Sequence, residues 1–145
     1  MPYELDIVHP ATAEWLTTNG YTFRHEAKLF AGIVDFIAYK DGQVFAVEAK
    51  SSLLSSDFPL SVNQVMGYAR QIQIINKLDA IPCLSAPSQC AFDHHIDLCA
   101  KLGIRVILVE CISDTEYLKM KKRVDWSEWN TTCRKMRGKI IDTAI

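Results

Sequence analysis

Asp41-Gly42 restricts this chain more than any other feature of it. The pair sits between two runs dense in Val, Ile, Phe and Tyr, residues 33–39 and 43–50. An Asp-Gly pair in that setting specifies a two-residue hairpin, because the favoured turn needs positive φ at both positions, which Asp tolerates and Gly adopts freely. With these two residues as the loop, Lys40 faces Gln43, and counting outward along the ladder sets Asp35 directly across from Glu48. Opposed Cβ atoms lie about 4.5 to 5.5 Å apart, and like charges so placed are destabilising. At about 5 Å and an effective dielectric of about 20 the repulsion is roughly 3 kcal/mol, which something must offset. Strand alternation puts Lys50 on the same face, among Ile33, Ile37, Val44 and Ala46. Two carboxylates and a lysine at the end of a mostly apolar sheet are the parts for holding a hard divalent cation and an attacking water. The competing reading is an ion triad at a strand edge, with one carboxyl protonated and Lys50 paired to the other.

The rest of the chain supplies the frame. Leu5, Val8, Thr12, Trp15 and Leu16 recur at helical spacing and predict a helix over 5–18, stopped by Asn19-Gly20. A β-leaning stretch covers 21–30. After a Ser-rich loop at 51–60, Val62, Val65, Ala69, Ile72 and Ile75 mark a second helix, opened by Ser61. A strand over 80–84, a helix over 88–102 and a strand over 104–109 follow. The order αβββαβαβ joins an antiparallel hairpin to later crossover strands, which predicts an α/β fold with a mixed central β-sheet flanked by helices.

At 145 residues, without a repeat or a Gly/Pro-rich linker, the chain reads as a single domain. Its 49% hydrophobic and 23% charged residues exclude disorder, collagen and coiled coil. No apolar run approaches the roughly 20 residues of a membrane span, and the chain opens on Glu4 and Asp6 rather than on a basic leader, so a cytoplasmic location is expected. Five cysteines, an odd number with no CxxC pair, fit buried thiols in a reducing compartment.

The net charge of -1 hides an asymmetry. Residues 119–139 carry eight basic side chains against Asp125 and Glu128, whereas residues 1–118 carry eight basic against fourteen acidic. An acidic body with a basic tail suits cation binding in one place and a polyanion in another. The expected division is a core over 1–118 and a basic extension over 119–145, packed on or continuing the same domain.

Gly32-Ile33-Val34-Asp35, the hairpin, and then Glu48-Ala49-Lys50-Ser51 resemble the core motif of the PD-(D/E)XK nuclease superfamily, whose restriction-endonuclease-like core has a similar order of elements. The resemblance implies a nuclease that hydrolyses phosphodiester bonds in DNA with Mg²⁺, or Mn²⁺, as cofactor. It implies that Asp35, Glu48 and the Ala49 carbonyl are metal ligands, and that Lys50 orients the water and stabilises charge on the scissile phosphate. Many members carry a further glutamate on the first helix, which Glu14 matches, with Glu26 as the rival. Gln64 and Tyr68 resemble the QxxxY motif of RecB-type members, where these groups contact the active site or DNA. Ser61-Val62-Asn63-Gln64 equally reads as a capping box, with Gln64 reaching back to Ser61.

Lys119, Lys121, Lys122 and Arg123 are the expected contacts to the DNA backbone. Trp126 and Trp129 either stack on bases or anchor packing. Cys90, His94, His95 and Cys99 fall at helical spacing, but two ligands per face do not close a tetrahedral zinc site, so core thiols and ordinary histidines are the better reading. DNA is the expected partner and a homodimer an open option. The rival functions are a non-catalytic DNA-binding or protein-interaction module of the same fold, which needs no opposed carboxylates, and a metal-dependent hydrolase of a small substrate, which needs no basic tail.

Overall fold

The Asp41-Gly42 turn forms as its residues require: Asp41 has φ 52 and Gly42 φ 77, and Lys40 pairs with Gln43. In the computed structural model, which describes residues 3–53, 57–121 and 140–143, this hairpin joins β2 (Gly32–Lys40) to β3 (Gln43–Ala49). Outside it lies β1 (Thr22–Leu29), antiparallel to β2. On the other side β3, β4 (Ala80–Pro87) and β5 (Arg105–Val109) run parallel, and β6 (Ile140–Thr143) closes the sheet antiparallel to β5. The six strands lie in sequence order across one mixed sheet.

Parallel neighbours need crossovers, and α2 (Phe58–Asn76) and α3 (Asp93–Lys101) provide them on one face. There Val62 and Val65 of α2, with Cys99 of α3, pack on Leu84, Ala86, Val106 and Leu108. Ala69 and Ile72 continue the seam over Ile37, Val44 and Ala46. The opposite face is covered by α1 (His9–Thr18), whose Trp15 and Leu16 meet Phe45 and Val47. Tyr117, from α4 (Asp114–Lys121), is buried with Tyr3 in that layer and donates its hydroxyl proton to Asp6.

Three local departures from the sequence expectation have physical causes. Residues Glu4–Val8 form a π-helical turn ahead of α1, closed by the His9 N–H on the Glu4 carbonyl. A wider turn shifts the helical register, so Leu5 leaves the buried stripe and Asp6 and Ile7 enter it. The second helix starts at Phe58, before Ser61, with Pro59 in its first turn, where a missing N–H costs nothing. The expected helix over 88–102 divides into a 3₁₀ turn at Ser88–Cys90 and α3, with Ala91 and Phe92 extended. The Leu53 N–H takes the Cys90 carbonyl at 2.8 Å, so that carbonyl is not available to a helix.

Candidate active site

The β2–β3 ladder is regular as far as Phe36 opposite Val47. At the next pair, Asp35 and Glu48, the side chains take over from the backbone. Glu48 Oε1 accepts the Asp35 N–H at 2.8 Å, and Asp35 Oδ2 accepts the Ala49 N–H at 2.8 Å. On the outer side Glu26, opposite Asp35, also drops out of the β1–β2 ladder, with φ 52. The alternation of faces slips here: Phe36 and Ala38 belong to the α1 layer, yet Val34 packs with Ile37 in the α2 layer. Asp35 therefore stands at a break in the sheet, with His9 Nε2 of α1 3.5 Å from its Oδ2. Glu48 and Lys50 face α2. The expectation that all three share one face is amended to that extent.

Glu48 is almost fully enclosed, with 4% of its side chain exposed. Burial first, and the charge of Asp35 second, push its carboxyl from 4.5 up to about 7, against the pull of the Asp35 amide and of Lys50. The Lys50 ammonium lies 3.7 Å from Glu48 Oε2 and donates to Gln64 Oε1 at 2.9 Å. Gln64 is thus turned to the site and not to a cap. Ser61 lies inside α2 and its hydroxyl donates to the Asp57 carbonyl at 3.2 Å, so the capping-box alternative does not form.

Tyr68, one turn on, brings its hydroxyl 3.5 Å from Gln64 Nε2 and lays its ring over Gly32. A Cβ at Gly32 would meet that ring at 2.9 Å, and φ of +109 there is open to glycine. Gln71, a further turn along, clamps the β1–β2 turn by accepting the Ala31 N–H at 3.0 Å and donating to its carbonyl at 2.8 Å.

The N-terminal helical segment reaches the same end of the sheet. The Ser51 N–H donates to Glu4 Oε1 at 3.1 Å, the Lys50 N–H donates to the Ser85 carbonyl at 2.7 Å, and Thr12 Oγ1 meets Ser85 Oγ at 2.5 Å. Burial alone would lower the pKa of His9, but the hydrogen bond and charge of Asp35, with Glu4 and Glu26, outweigh it and raise it. Glu14 lies on α1, half-buried. It shares a turn with Trp15, whose ring packs on Tyr21 towards the hairpin end. Glu4, in the π turn, is the acid whose side chain accepts the Ser51 N–H beside Lys50. Neither Glu4 nor His9 carries a spacing signal that points to the site. Glu26, the rival acid, is 55% exposed and lies 3.7 Å from His25 Nε2.

Two carboxylates with one enclosed, a backbone carbonyl between Glu48 and Lys50, and a single nearby ammonium make an oxygen-rich donor set of the kind a hard divalent cation takes. Cys90 lies in the 3₁₀ turn and off α3; Cys99 is buried, and burial pushes its thiol up to about 11. His94 and His95 stack with Phe92, so these four residues form no metal cage. Lys119 is exposed on α4, which Lys121 closes. Lys122, Arg123, Trp126 and Trp129 lie outside the described residues. No helix among the described residues is long and apolar enough to cross a membrane.

No protein-family model matches this sequence, and no curated protein matches it. Solved structures do. An XisH-family protein from Nostoc punctiforme matches with TM-score 0.56 at 19% identity, over 72% of this chain and 91% of its own. A repair endonuclease from Pyrococcus abyssi matches with TM-score 0.55 at 22% identity, over 70% of this chain and 46% of its own. EndoMS, in a complex with double-stranded DNA, matches with TM-score 0.51 at 20% identity, over 67% of this chain and 42% of its own. The chain spans less than half of these last two. It has the restriction-endonuclease-like α/β fold, a mixed sheet flanked by helices.

Proposed function

We propose that this chain is a divalent-metal-dependent nuclease that hydrolyses phosphodiester bonds in DNA. The observation that carries the reading is the enclosed Glu48 held against Asp35 where the hairpin gives up its backbone pairing, with Lys50 fixed beside them by Gln64. One oxygen of each carboxylate is engaged by a backbone amide. That fixes both groups in place and offers Asp35 Oδ1 and Glu48 Oε2, with the Ala49 carbonyl, to Mg²⁺ or Mn²⁺. When bound, the cation supplies Lewis acidity towards the phosphate and lowers the pKa of a ligated water.

The chain's own groups account for the remaining work. Lys50, its ammonium 3.7 Å from Glu48 Oε2, donates to the attacking water and to the charge growing on the phosphate. Gln64 restricts the rotamers of Lys50, and Tyr68 backs Gln64, so the three side chains hold one another in place. His9 holds Asp35 from the α1 side and Glu4 holds the backbone at Ser51. The basic residues from Lys119 onward supply attraction to the DNA backbone that the acidic body lacks. An endonuclease and a DNA-bound protein of the same fold add weight to DNA as the substrate.

The test is incubation of the full chain with linear, circular and branched DNA in Mg²⁺, Mn²⁺ and EDTA. Cleavage with either cation, its loss in EDTA, and its loss in Asp35→Ala and Glu48→Ala are the expected results. Full activity of either variant overturns the reading. The rival reading is a non-catalytic DNA-binding or protein-interaction module of the same fold. DNA binding without cleavage under all three conditions selects it.

A further inference from the structure

Outside the carboxylate pair, the described residues hold one group of three metal-capable side chains, His9, His25 and Glu26, with one ligand atom from each within 4.8 Å of the others. His9 opens α1, while His25 and Glu26 are neighbours on β1. Neighbouring strand residues ordinarily point to opposite faces. Here the backbone of Glu26 turns to φ 52, and its Oε1 comes within 3.7 Å of His25 Nε2. Positive φ at a non-glycine residue is a strained conformation that the surroundings must impose.

The two imidazoles meet nitrogen to nitrogen, His9 Nδ1 and His25 Nε2 being 2.9 Å apart. Such a pair either shares a proton or turns two lone pairs to a common cation. The other nitrogen of His9, Nε2, faces Asp35 Oδ2 at 3.5 Å. A carboxylate behind one ring nitrogen is the arrangement that fixes the tautomer of a metal-ligating histidine, here with the proton on Nε2 and the lone pair on Nδ1. Beside the imidazoles lies a cavity of about 220 Å³, with Leu5, Phe23 and Phe36 among its walls. At about 30 Å³ per water it has room for several.

We propose that His9 Nδ1, His25 Nε2 and a Glu26 carboxylate oxygen form a site for a transition-metal cation of the Zn²⁺ class, separate from the Asp35–Glu48 pair and joined to it through the His9–Asp35 contact. Two imidazoles and one carboxylate suit Zn²⁺ and Co²⁺, whereas Mg²⁺ prefers an all-oxygen shell. Three protein ligands leave a fourth position for water, on the side of the cavity. The inference does not rest on the nuclease reading, because Asp35 serves here only to orient His9.

The experiment is calorimetric titration of the full chain with Zn²⁺ in the presence of millimolar Mg²⁺, beside visible absorption with Co²⁺ as a probe. One Zn²⁺ per chain and the intense visible bands of low-coordinate Co²⁺ are expected. His25→Ala and Glu26→Gln, both at exposed side chains and so kept folded, are each expected to weaken Zn²⁺ binding by more than the 10- to 100-fold that loss of a hydrogen-bond partner behind a ligand costs. Asp35→Asn is expected to fall within about that 10- to 100-fold range, and Glu48→Gln to leave Zn²⁺ affinity unchanged. Absence of Zn²⁺ binding, binding indifferent to His25→Ala, or binding lost with Glu48→Gln overturns the proposal, the last by placing the ion on the carboxylate pair. Failure of Mg²⁺-dependent cleavage leaves every one of these readouts intact.

Discussion

Replacing Glu48 by Gln is expected to stabilise the cation-free protein, and to do so more as pH rises. Burial and the neighbouring Asp35 move the Glu48 carboxyl from 4.5 to about 7. Its folded pKa is raised, so the native state holds a proton that the unfolded chain has released, and the stability this confers is complete below about pH 4.5 and lost as pH rises through about 7. At about 1.4 kcal/mol per pH unit the loss is on the order of 3 kcal/mol, in line with the roughly 3 kcal/mol of Coulomb repulsion between carboxylates about 5 Å apart. Gln keeps the carbonyl oxygen that accepts the Asp35 N–H and never ionises. In a domain of this size each kcal/mol moves Tm by about 4 °C, so the variant should melt roughly 10 °C above the wild type at about pH 8.5 in EDTA, and close to it at about pH 5. His9, whose pKa is also raised, tilts both proteins the same way and leaves their difference to Glu48. Saturating Mg²⁺ should then recover about 2.7 kcal/mol for the wild type at a hundredfold excess over Kd, and nothing comparable for the variant. A difference in Tm that does not change with pH, or a Gln variant less stable throughout, refutes the reasoning.

Lys50→Ala should keep the fold and Mg²⁺ affinity while lowering cleavage by about 10²- to 10³-fold, measured by calorimetry beside single-turnover kinetics. Gln64→Ala should lower the cleavage rate with Tm nearly unchanged, because Gln64 orients Lys50 and caps nothing; a fall in Tm with normal kinetics would restore the cap. Gly32→Ala places a methyl 2.9 Å from the Tyr68 ring at a φ of +109, and should cost about 2 kcal/mol or more in denaturant melts, with Tyr68→Ala in the same chain relieving only the contact. Changing Lys121, Lys122 and Arg123 together to Gln should flatten the slope of log DNA affinity against log salt by up to about 0.9 per lost phosphate contact, with Mg²⁺ affinity unmoved; an unchanged slope removes this segment from the DNA path.

The hairpin was legible because one dipeptide sets its register, and the register alone brings Asp35 to Glu48. The layer order was legible because helical and strand periods alternate cleanly from Leu5 to Val109. Gln64 was legible only as a choice, since four residues from Ser61 to Gln64 spell a cap as well as a site; the earlier start of α2, at Phe58, decided it. What stayed hidden came from contacts between distant parts of the chain. A π turn that hands the site Glu4 leaves no mark in residue spacing. Neither does the Leu53 to Cys90 bond that divides the expected helix, nor the left-handed backbone at Glu26 that takes Asp35 out of a plain ladder. Ordinary alternation predicts three side chains on one face; the slip at Asp35 splits them between α1 and α2.

The outermost strand shows what the turn at Glu26 does for the molecule as a whole. β1 lies at the sheet's edge, where an unbroken row of amides and carbonyls is a template for the strand of another copy. Arg24, His25, Glu26 and Lys28 make that edge charged and exposed, and the backbone reversal in their midst breaks the row in two. A flat strand with the same residues would leave solubility to charge alone. Because the break is built into the backbone, salt cannot screen it away, and a second copy adding as a strand to this edge would meet an interrupted row.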